Sequence, residues 1–149
     1  MKIILASDHA GLELRQELVA GLRERGLAFD DVGPTTRESV DYPDFASQVA
    51  KAVAGGQYTH GVLVCGTGIG MSIVANKYRG VRAALCSTEF EARMARAHND
   101  ANVLCVGQRV VGVGVARSIL ETFLATPFEG GRHQKRIDKI REAESESGR

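Results

Sequence analysis

The segment Cys65-Gly66-Thr67-Gly68-Ile69-Gly70 combines a thiol with three glycines at alternate positions. It follows an apolar stretch and precedes a predicted helix over 71–77. Glycines allow backbone N–H groups near a helix N-terminus to approach a ligand closely, so such a loop can hold an anion or an oxyanion formed during a reaction. The alternative interpretation is a tight strand-to-helix turn beside a buried cysteine, since glycine-rich turns are common in α/β proteins.

Three familiar glycine-rich loops do not match this segment. A nucleotide P-loop requires a lysine after its last glycine, where this chain has Met71. A dinucleotide-binding loop requires its third glycine three positions after the second, whereas Gly70 comes two after Gly68. A cysteine phosphatase requires an arginine at the position of Met71. The loop therefore indicates a different chemistry.

Cys65 is the candidate base of that chemistry. A thiol near a helix N-terminus has its thiolate form favoured, and a thiolate that forms near neutral pH can act as a general base. The other two cysteines, Cys86 and Cys105, have no such loop beside them and are predicted to be small core residues.

Two further pairs of polar residues are candidate site residues. Asp8 and His9 follow the first apolar stretch; Asp8 could cap the first helix instead, while His9 could donate to a phosphate or a sugar hydroxyl. His98 and Asn99 end a predicted helix, where a histidine could also serve only to complement the helix dipole.

A basic cluster near the end of the chain is a candidate phosphate clamp. Arg132, His133, Lys135 and Arg136 follow two glycines, and Arg132 and Arg136 are four residues apart, so on a helix they would point the same way. Arg109, just past the last predicted strand, is a candidate of the same kind. The alternative is a solvated helix face balanced by acidic neighbours.

The hydrophobic pattern predicts how these residues are positioned. Short apolar runs predict strands at 2–6, 27–32, 61–65, 82–86 and 103–106. Apolar stripes or capping signals predict helices around Leu14–Leu22, Tyr42–Val53, 71–77, Thr88–His98 and Val115–Phe123. Regular alternation of strand and helix implies a doubly wound parallel sheet, in which ligands bind outside the carboxyl ends of the strands.

Length and composition limit the class of protein. A chain of 149 residues fits a single domain, 1–149. Its formal charge of +1 gives no broad electrostatic field that would attract nucleic acid or a membrane surface. The first residues predict no signal peptide, and no apolar run approaches the roughly 20 residues that span a bilayer. Three cysteines beside apolar runs are typical of reduced thiols in the cytoplasm. Residues 142–149 form a polar tail that is expected to fray.

Five ordered stretches resemble the type B ribose-5-phosphate isomerase family, which also contains galactose-6-phosphate isomerase subunits. They are residues 6–11, 41–44, 65–70, 97–102 and 131–133. Because the matches extend from one end of the chain to the other, the resemblance covers nearly the whole chain except its tail.

This resemblance implies a three-layer α/β/α sandwich, Rossmann-like, around a five-stranded parallel sheet. It also implies no metal and no cofactor, and a homodimer or dimer of dimers whose active sites draw on both subunits. In the family, the residue matching Cys65 moves a proton between C1 and C2 of the sugar. Another branch of the family has a glutamate just after the glycine loop, where this chain has Met71, which cannot accept a proton.

The resemblance further assigns roles to the other candidates. Family residues matching Thr67 and His98 assist opening of the sugar ring. Family residues matching Asp8, Tyr42 and Asn99 contact the open-chain sugar. Residues matching His9, Arg132 and Arg136 hold the phosphate.

The expected activity is interconversion of ribose 5-phosphate and ribulose 5-phosphate through an enediolate, a reaction of the pentose phosphate pathway. One alternative is an isomerase for allose or galactose 6-phosphate. Another is a non-enzymatic sugar-phosphate or nucleotide-binding module, which would not need Cys65, Thr67 and His98.

Overall fold

Five parallel strands form the centre of the molecule. The computed structural model describes residues 1–146 and 148. Its strands are β1 (Ile3–Ser7), β2 (Phe29–Asp31), β3 (His60–Cys65), β4 (Ala83–Leu85) and β5 (Val103–Gly107). Its helices are α1 (Leu12–Glu24), α2 (Tyr42–Ala54), α3 (Ile69–Ala75), α4 (Glu89–Asn99), α5 (Val113–Ala125) and α6 (Arg132–Glu146), with a 3-10 turn at His9–Gly11.

The strand order β2-β1-β3-β5-β4 makes the sheet doubly wound. The central strands pair in register over their whole length, with Ser7 opposite Val64 and Cys65 opposite Gly107. The carboxyl ends of β1, β3 and β5 therefore meet at one edge of the sheet. The predicted α/β sandwich is confirmed, and each strand lies within about two residues of its expected position.

Helices cover both faces of the sheet, which explains why the central strands are continuously apolar. Helices α1, α4 and α5 pack on one face through residues such as Leu18, Ala92 and Phe123. Helices α2 and α3 pack on the other through residues such as Val49 and Met71. Val115, which the pattern placed on the apolar stripe of α5, is instead 43% exposed, because Ala116 and Ile119 face the sheet.

Local signals set the helix ends as the sequence predicted. Thr88 and Glu91 form a reciprocal capping box at the start of α4, with each side chain bonded to the other's backbone N–H. Gly26 follows α1 with a φ of +64°, a left-handed conformation that glycine adopts without strain. These two ends fix the direction of α1 and α4 against the sheet.

Helix α6 extends into the segment that was expected to be a frayed tail. Residues 142–146 are helical, and the Glu144 carboxylate accepts from the Gly80 backbone N–H at 3.3 Å, which anchors this end of α6. Ser147 and Arg149 lie outside the described residues. Among residues 1–146 and 148, no helix is both long and apolar enough to cross a membrane.

Candidate active site

Cys65 is the last residue of β3, and its side chain is held under the glycine loop. The residue is 5% exposed, and its Sγ accepts a hydrogen bond from the Gly68 backbone N–H at 3.1 Å. Gly68 has a φ of +79°, which allows its N–H to turn back towards the sulfur. A backbone N–H is therefore directed at the sulfur of the candidate base.

Two glycines allow the loop to lie against neighbouring strands. A Cβ on Gly68 would be 2.5 Å from Cδ1 of Leu85, at the end of β4. A Cβ on Gly107, at the end of β5, would be 2.6 Å from the Thr67 carbonyl oxygen. Within the loop, the Thr67 hydroxyl accepts from the Ile69 N–H at 3.3 Å. The Gly68 and Ile69 amides thus bond within the loop.

The loop after β1 lies directly beside Cys65. The Asp8 N–H donates to the Val64 carbonyl at 3.2 Å, and Asp8 Oδ1 accepts from the Gly11 N–H at 3.0 Å. A Cβ on Gly11 would lie 2.6 Å from the Val64 carbonyl, so the backbones touch here. Asp8 is therefore both a helix cap, as the alternative interpretation had it, and a neighbour of the candidate base.

His9 is oriented by the connection between β2 and α2. Its Nδ1 lies 3.2 Å from the Val40 backbone nitrogen and accepts from it, so the neutral ring carries its proton on Nε2. That connection is held by the buried Arg15, which donates to the Pro34 carbonyl at 2.7 Å and to the Ser7 hydroxyl at 3.1 Å. His9 can thus present Nε2–H as a donor to an anion.

Tyr42 and Arg109 lie on either side of the glycine loop. A Cβ on Gly70 would be 2.6 Å from the ring of Tyr42, so the tyrosine packs against the start of α3. The Arg109 N–H donates to the Gly66 carbonyl at 3.0 Å, and its side chain passes alongside Gly66. Tyr42 and Arg109 complete a group that we call the carboxyl-end site: Asp8, His9, Tyr42, Cys65, Gly66, Thr67, Gly68, Ile69, Gly70 and Arg109.

The remaining candidates lie at the opposite edge of the sheet. Helix α4 runs antiparallel to the strands, so His98 and Asn99 at its end lie near the starts of β3 and β5. The Gly61 N–H, at the start of β3, donates to the Asn102 carbonyl just past this helix at 2.8 Å. A strand of six residues spans about 17 Å. One chain therefore does not bring His98 to Cys65.

These distant residues form a second group, the amino-end cluster: His98, Asn99, Glu129, Arg132, His133 and Arg136. The rings of His98 and His133 stack with centroids 4.1 Å apart and planes 6° from parallel. Arg132 is the first residue of α6, and Arg136 lies one turn later on the same helix, as the spacing predicted. Both side chains are exposed. The Glu129 N–H donates to the Ala97 carbonyl at 3.0 Å, which ties the start of α6 to α4.

The amino-end cluster contains three potential metal ligands that no sequence spacing indicated. His98, Glu129 and His133 place their ligand atoms within 4.8 Å of one another. Parallel stacked rings direct their nitrogen lone pairs side by side instead of towards one point, and Arg132 and Arg136 add positive charge nearby. This environment suits an anion better than a cation.

The two other cysteines are core residues, as predicted. Burial raises the pKa of Cys86 to about 12, and burial raises the pKa of Cys105 well above its ordinary value. Met71, in α3 directly after the glycine loop, is also fully buried. None of these three side chains can exchange protons with a substrate at the carboxyl-end site. Of the three cysteines, Cys65 is therefore the candidate for proton transfer there.

Sequence reasoning missed several residues that position the candidates. Glu129 and Val40 were not noticed because their roles depend on contacts across the fold, and His133 was treated only as one of a basic group. The one available signal was Gly130-Gly131, whose φ values of +66° and +54° turn the chain from α5 into α6.

The sequence and the fold match a known family. The family model for Ribose/Galactose Isomerase matches residues 3–140, so the chain belongs to that family. The ribose-5-phosphate isomerase B of Escherichia coli (strain K12) is 50% identical over 139 residues, which cover 93% of each chain.

Solved structures agree with this assignment. The ribose-5-phosphate isomerase B of Clostridium thermocellum superposes with a TM-score of 0.97 at 49% identity, covering 99% of both chains. That of Mycoplasma genitalium, solved with bound ribulose 5-phosphate, has a TM-score of 0.93 at 44% identity and covers 97% of both chains.

Proposed function

We propose that this protein interconverts ribose 5-phosphate and ribulose 5-phosphate, with Cys65 as the base. The observation that carries the proposal is the Gly68 N–H directed at Cys65 Sγ, in a loop at the carboxyl edge of a doubly wound sheet. Membership of the Ribose/Galactose Isomerase family supports it, as does the ribulose 5-phosphate bound by the Mycoplasma genitalium relative. A binding module would not need a thiolate at this position.

In the proposed reaction, one proton moves between adjacent carbons. The Cys65 thiolate removes the proton from C2 of the open-chain aldose, the electron pair of the broken C–H bond forms the enediolate, and the same proton returns to C1. The proton on the C2 hydroxyl passes to the C1 oxygen, so atoms and charge balance. Thr67 and His98 act earlier, in opening the sugar ring.

The other residues bind and orient the substrate. Asp8, Tyr42 and Asn99 contact the hydroxyl groups of the open chain. His9, through Nε2–H, and the pair Arg132 and Arg136 hold the phosphate, and Arg109 adds positive charge beside the glycine loop. Holding the phosphate away from the reacting carbons fixes the substrate relative to Cys65.

This assignment requires two chains. Because His98, Asn99, Arg132 and Arg136 lie at the edge opposite Cys65, each active site in the proposal joins the carboxyl-end site of one subunit to the amino-end cluster of another. Exposed apolar side chains flank the carboxyl-end site and are candidates for this interface: Ile69 (51% exposed), Ile73 (54%) and Leu85 (38%). A closed homodimer would form two such sites by symmetry.

Mixing two inactive variants tests the shared site. In a heterodimer of Cys65→Ala and His98→Asn subunits, one site carries both changes and the other carries neither. Random reassociation makes about half of the dimers mixed, so we expect about a quarter of the wild-type rate to return. Each variant reassociated with itself is the control. No recovery, with heterodimers demonstrated by a tag, would show that Cys65 and His98 do not share a site across subunits.

The substrate is tested by comparing rates on three sugar phosphates. We expect turnover of ribose 5-phosphate to exceed that of allose 6-phosphate and galactose 6-phosphate, because the relatives named above are ribose-5-phosphate isomerases. A preference for a six-carbon substrate would show that the protein is instead an isomerase of allose or galactose 6-phosphate that uses the same mechanism. The free and buried cysteines favour a cytoplasmic setting, where the reaction would belong to the pentose phosphate pathway.

A further inference from the structure

The ring of His133 is buried against the ring of His98. His133 is the second residue of α6 and is 4% exposed, whereas the side chain of His98 is 35% exposed. The parallel stack, with 4.1 Å between centroids, covers one face of the His98 ring. A side chain at the end of a helix is otherwise free to rotate, so this contact restricts the plane of the His98 ring.

One carboxylate oxygen faces both rings. Oε2 of Glu129 lies 3.5 Å from Nε2 of His133 and 3.8 Å from Nε2 of His98. Glu129 is itself exposed, so a small movement brings its oxygen within hydrogen-bond distance of Nε2 of His98, whereas Nε2 of His133 already accepts from Nε of Arg132 at 3.4 Å. A carboxylate that faces one imidazole nitrogen leaves the second nitrogen for a substrate.

The charges around His133 favour its neutral form. Its burial, followed by the neighbouring His98 and Arg132, lowers the pKa of His133 below its ordinary value, and Arg136 acts in the same direction. Glu129 opposes them. A neutral His133 stacks on His98 without placing a second positive charge against that ring.

We propose that His133 is a positioning residue that holds the His98 ring in the plane needed for opening the sugar ring. The proposal rests on the proposed function, in which His98 moves the proton between the anomeric hydroxyl and the ring oxygen. His133 acts on ring opening through His98. Its Nε2 also accepts from Nε of Arg132 at 3.4 Å, a contact that both His133→Ala and His133→Phe remove, so comparing these two variants isolates the stack. A ring displaced by about 1 Å can cost about 10²-fold in rate, so loss of the stacked partner is costly.

The test compares two reactions in His133→Ala and His133→Phe. Conversion of ribose 5-phosphate requires ring opening, whereas hydrogen exchange between ribulose 5-phosphate and deuterated water does not. We expect His133→Ala to slow the first reaction by about 10- to 100-fold and to leave the second within about 2-fold. His133→Phe retains a flat ring to stack on His98 and should recover most of the lost rate.

Controls separate this role from folding. Gln134→Ala alters the neighbouring residue, which bonds to Asp138, and should leave both reactions unchanged. The double variant His98→Asn/His133→Ala should be no slower than His98→Asn alone, because His133 acts through His98.

Three results are distinguishable. If His133→Ala slows both reactions equally, or if His133→Phe is as slow as His133→Ala, the positioning role is wrong. If His133→Ala does not fold, the same comparison is made with His133→Phe and His133→Gln, and equal losses in both again overturn it. If the wild-type protein does not convert ribose 5-phosphate at all, the proposed function fails, and the inference fails with it.

Discussion

The carboxyl-end site and the amino-end cluster are built in different ways. At the carboxyl end, the candidate base is a 5% exposed thiol. Its surroundings are mainly backbone: the Gly68 N–H on the sulfur and the Gly11 and Gly107 contacts that leave no space for a Cβ. At the amino end, the groups are long or ring side chains on the ends of α4 and α6, and Arg132 and Arg136 are exposed.

This difference corresponds to the two tasks in the proposed reaction. Proton transfer between adjacent carbons needs a fixed distance from sulfur to carbon, and backbone packing in a sheet holds distances well. Phosphate binding and ring opening act on groups that differ in position between ring and open chain. Exposed side chains can follow that change, with the stacked pair His98 and His133 as the ordered part of the cluster.

The strongest test of this comparison is Cys65→Ala. We expect the rate of isomerisation to fall by about 10³-fold or more, because no other thiol reaches the carboxyl-end site, while the fold and substrate binding remain. Rates are measured with ribose 5-phosphate, binding by calorimetry and folding by circular dichroism. Cys86→Ala is the matched control, since that buried thiol should be replaceable with little change in rate. Substantial turnover by Cys65→Ala would exclude Cys65 as the base.

The next largest effect concerns His98→Asn. We expect this variant to convert ribose 5-phosphate about 10²-fold more slowly, because the closed ring must first be opened. Ribulose 5-phosphate cannot form a furanose through its phosphorylated C5 oxygen, so its proton transfer should be spared. The measurement is hydrogen exchange with deuterated water, starting from ribulose 5-phosphate. If His98→Asn loses this exchange as completely as Cys65→Ala does, His98 belongs to the proton transfer itself.

A smaller effect is expected from Gly11→Ala, which tests the backbone packing of the carboxyl-end site. The added Cβ would lie 2.6 Å from the Val64 carbonyl, so the loop carrying Asp8 must shift. We expect a loss of about 1–3 kcal/mol in the free energy of unfolding, measured by urea denaturation, together with a reduced rate. In Gly114→Ala, on α5, the Cβ meets nothing within 4 Å, and stability should be equal or slightly higher. Equal stabilities in the two variants would contradict the close packing at Gly11.

The smallest effect, no change at all, is expected from EDTA. The proposed proton transfer needs only Cys65 and hydrogen-bond donors, and the amino-end cluster places Arg132 and Arg136 beside its potential metal ligands. Rates with and without the chelator check this expectation. Loss of activity with EDTA, followed by recovery when a metal is added, would show that His98, Glu129 and His133 bind a required ion.

Local sequence determined much of the fold and half of the candidate site. The apolar runs, the Thr88 capping box and Gly26 predicted the strands and helices because each depends on neighbours within a few residues. Cys65 and Asp8 were predicted to lie at the same edge because each is at the carboxyl end of a strand in a parallel sheet. These inferences required no knowledge of distant side chains.

Only the tertiary structure decided what surrounds those residues. The stack of His133 on His98, the Val40 N–H on His9 and the helical path of residues 142–146 depend on contacts between segments far apart in sequence. The hydrophobic periodicity of a sequence does not show which helix ends lie against each other in the fold. The placement of His98 at the edge opposite Cys65 follows from the direction of α4 across the sheet, and it is this direction that makes a second subunit necessary in the proposed reaction.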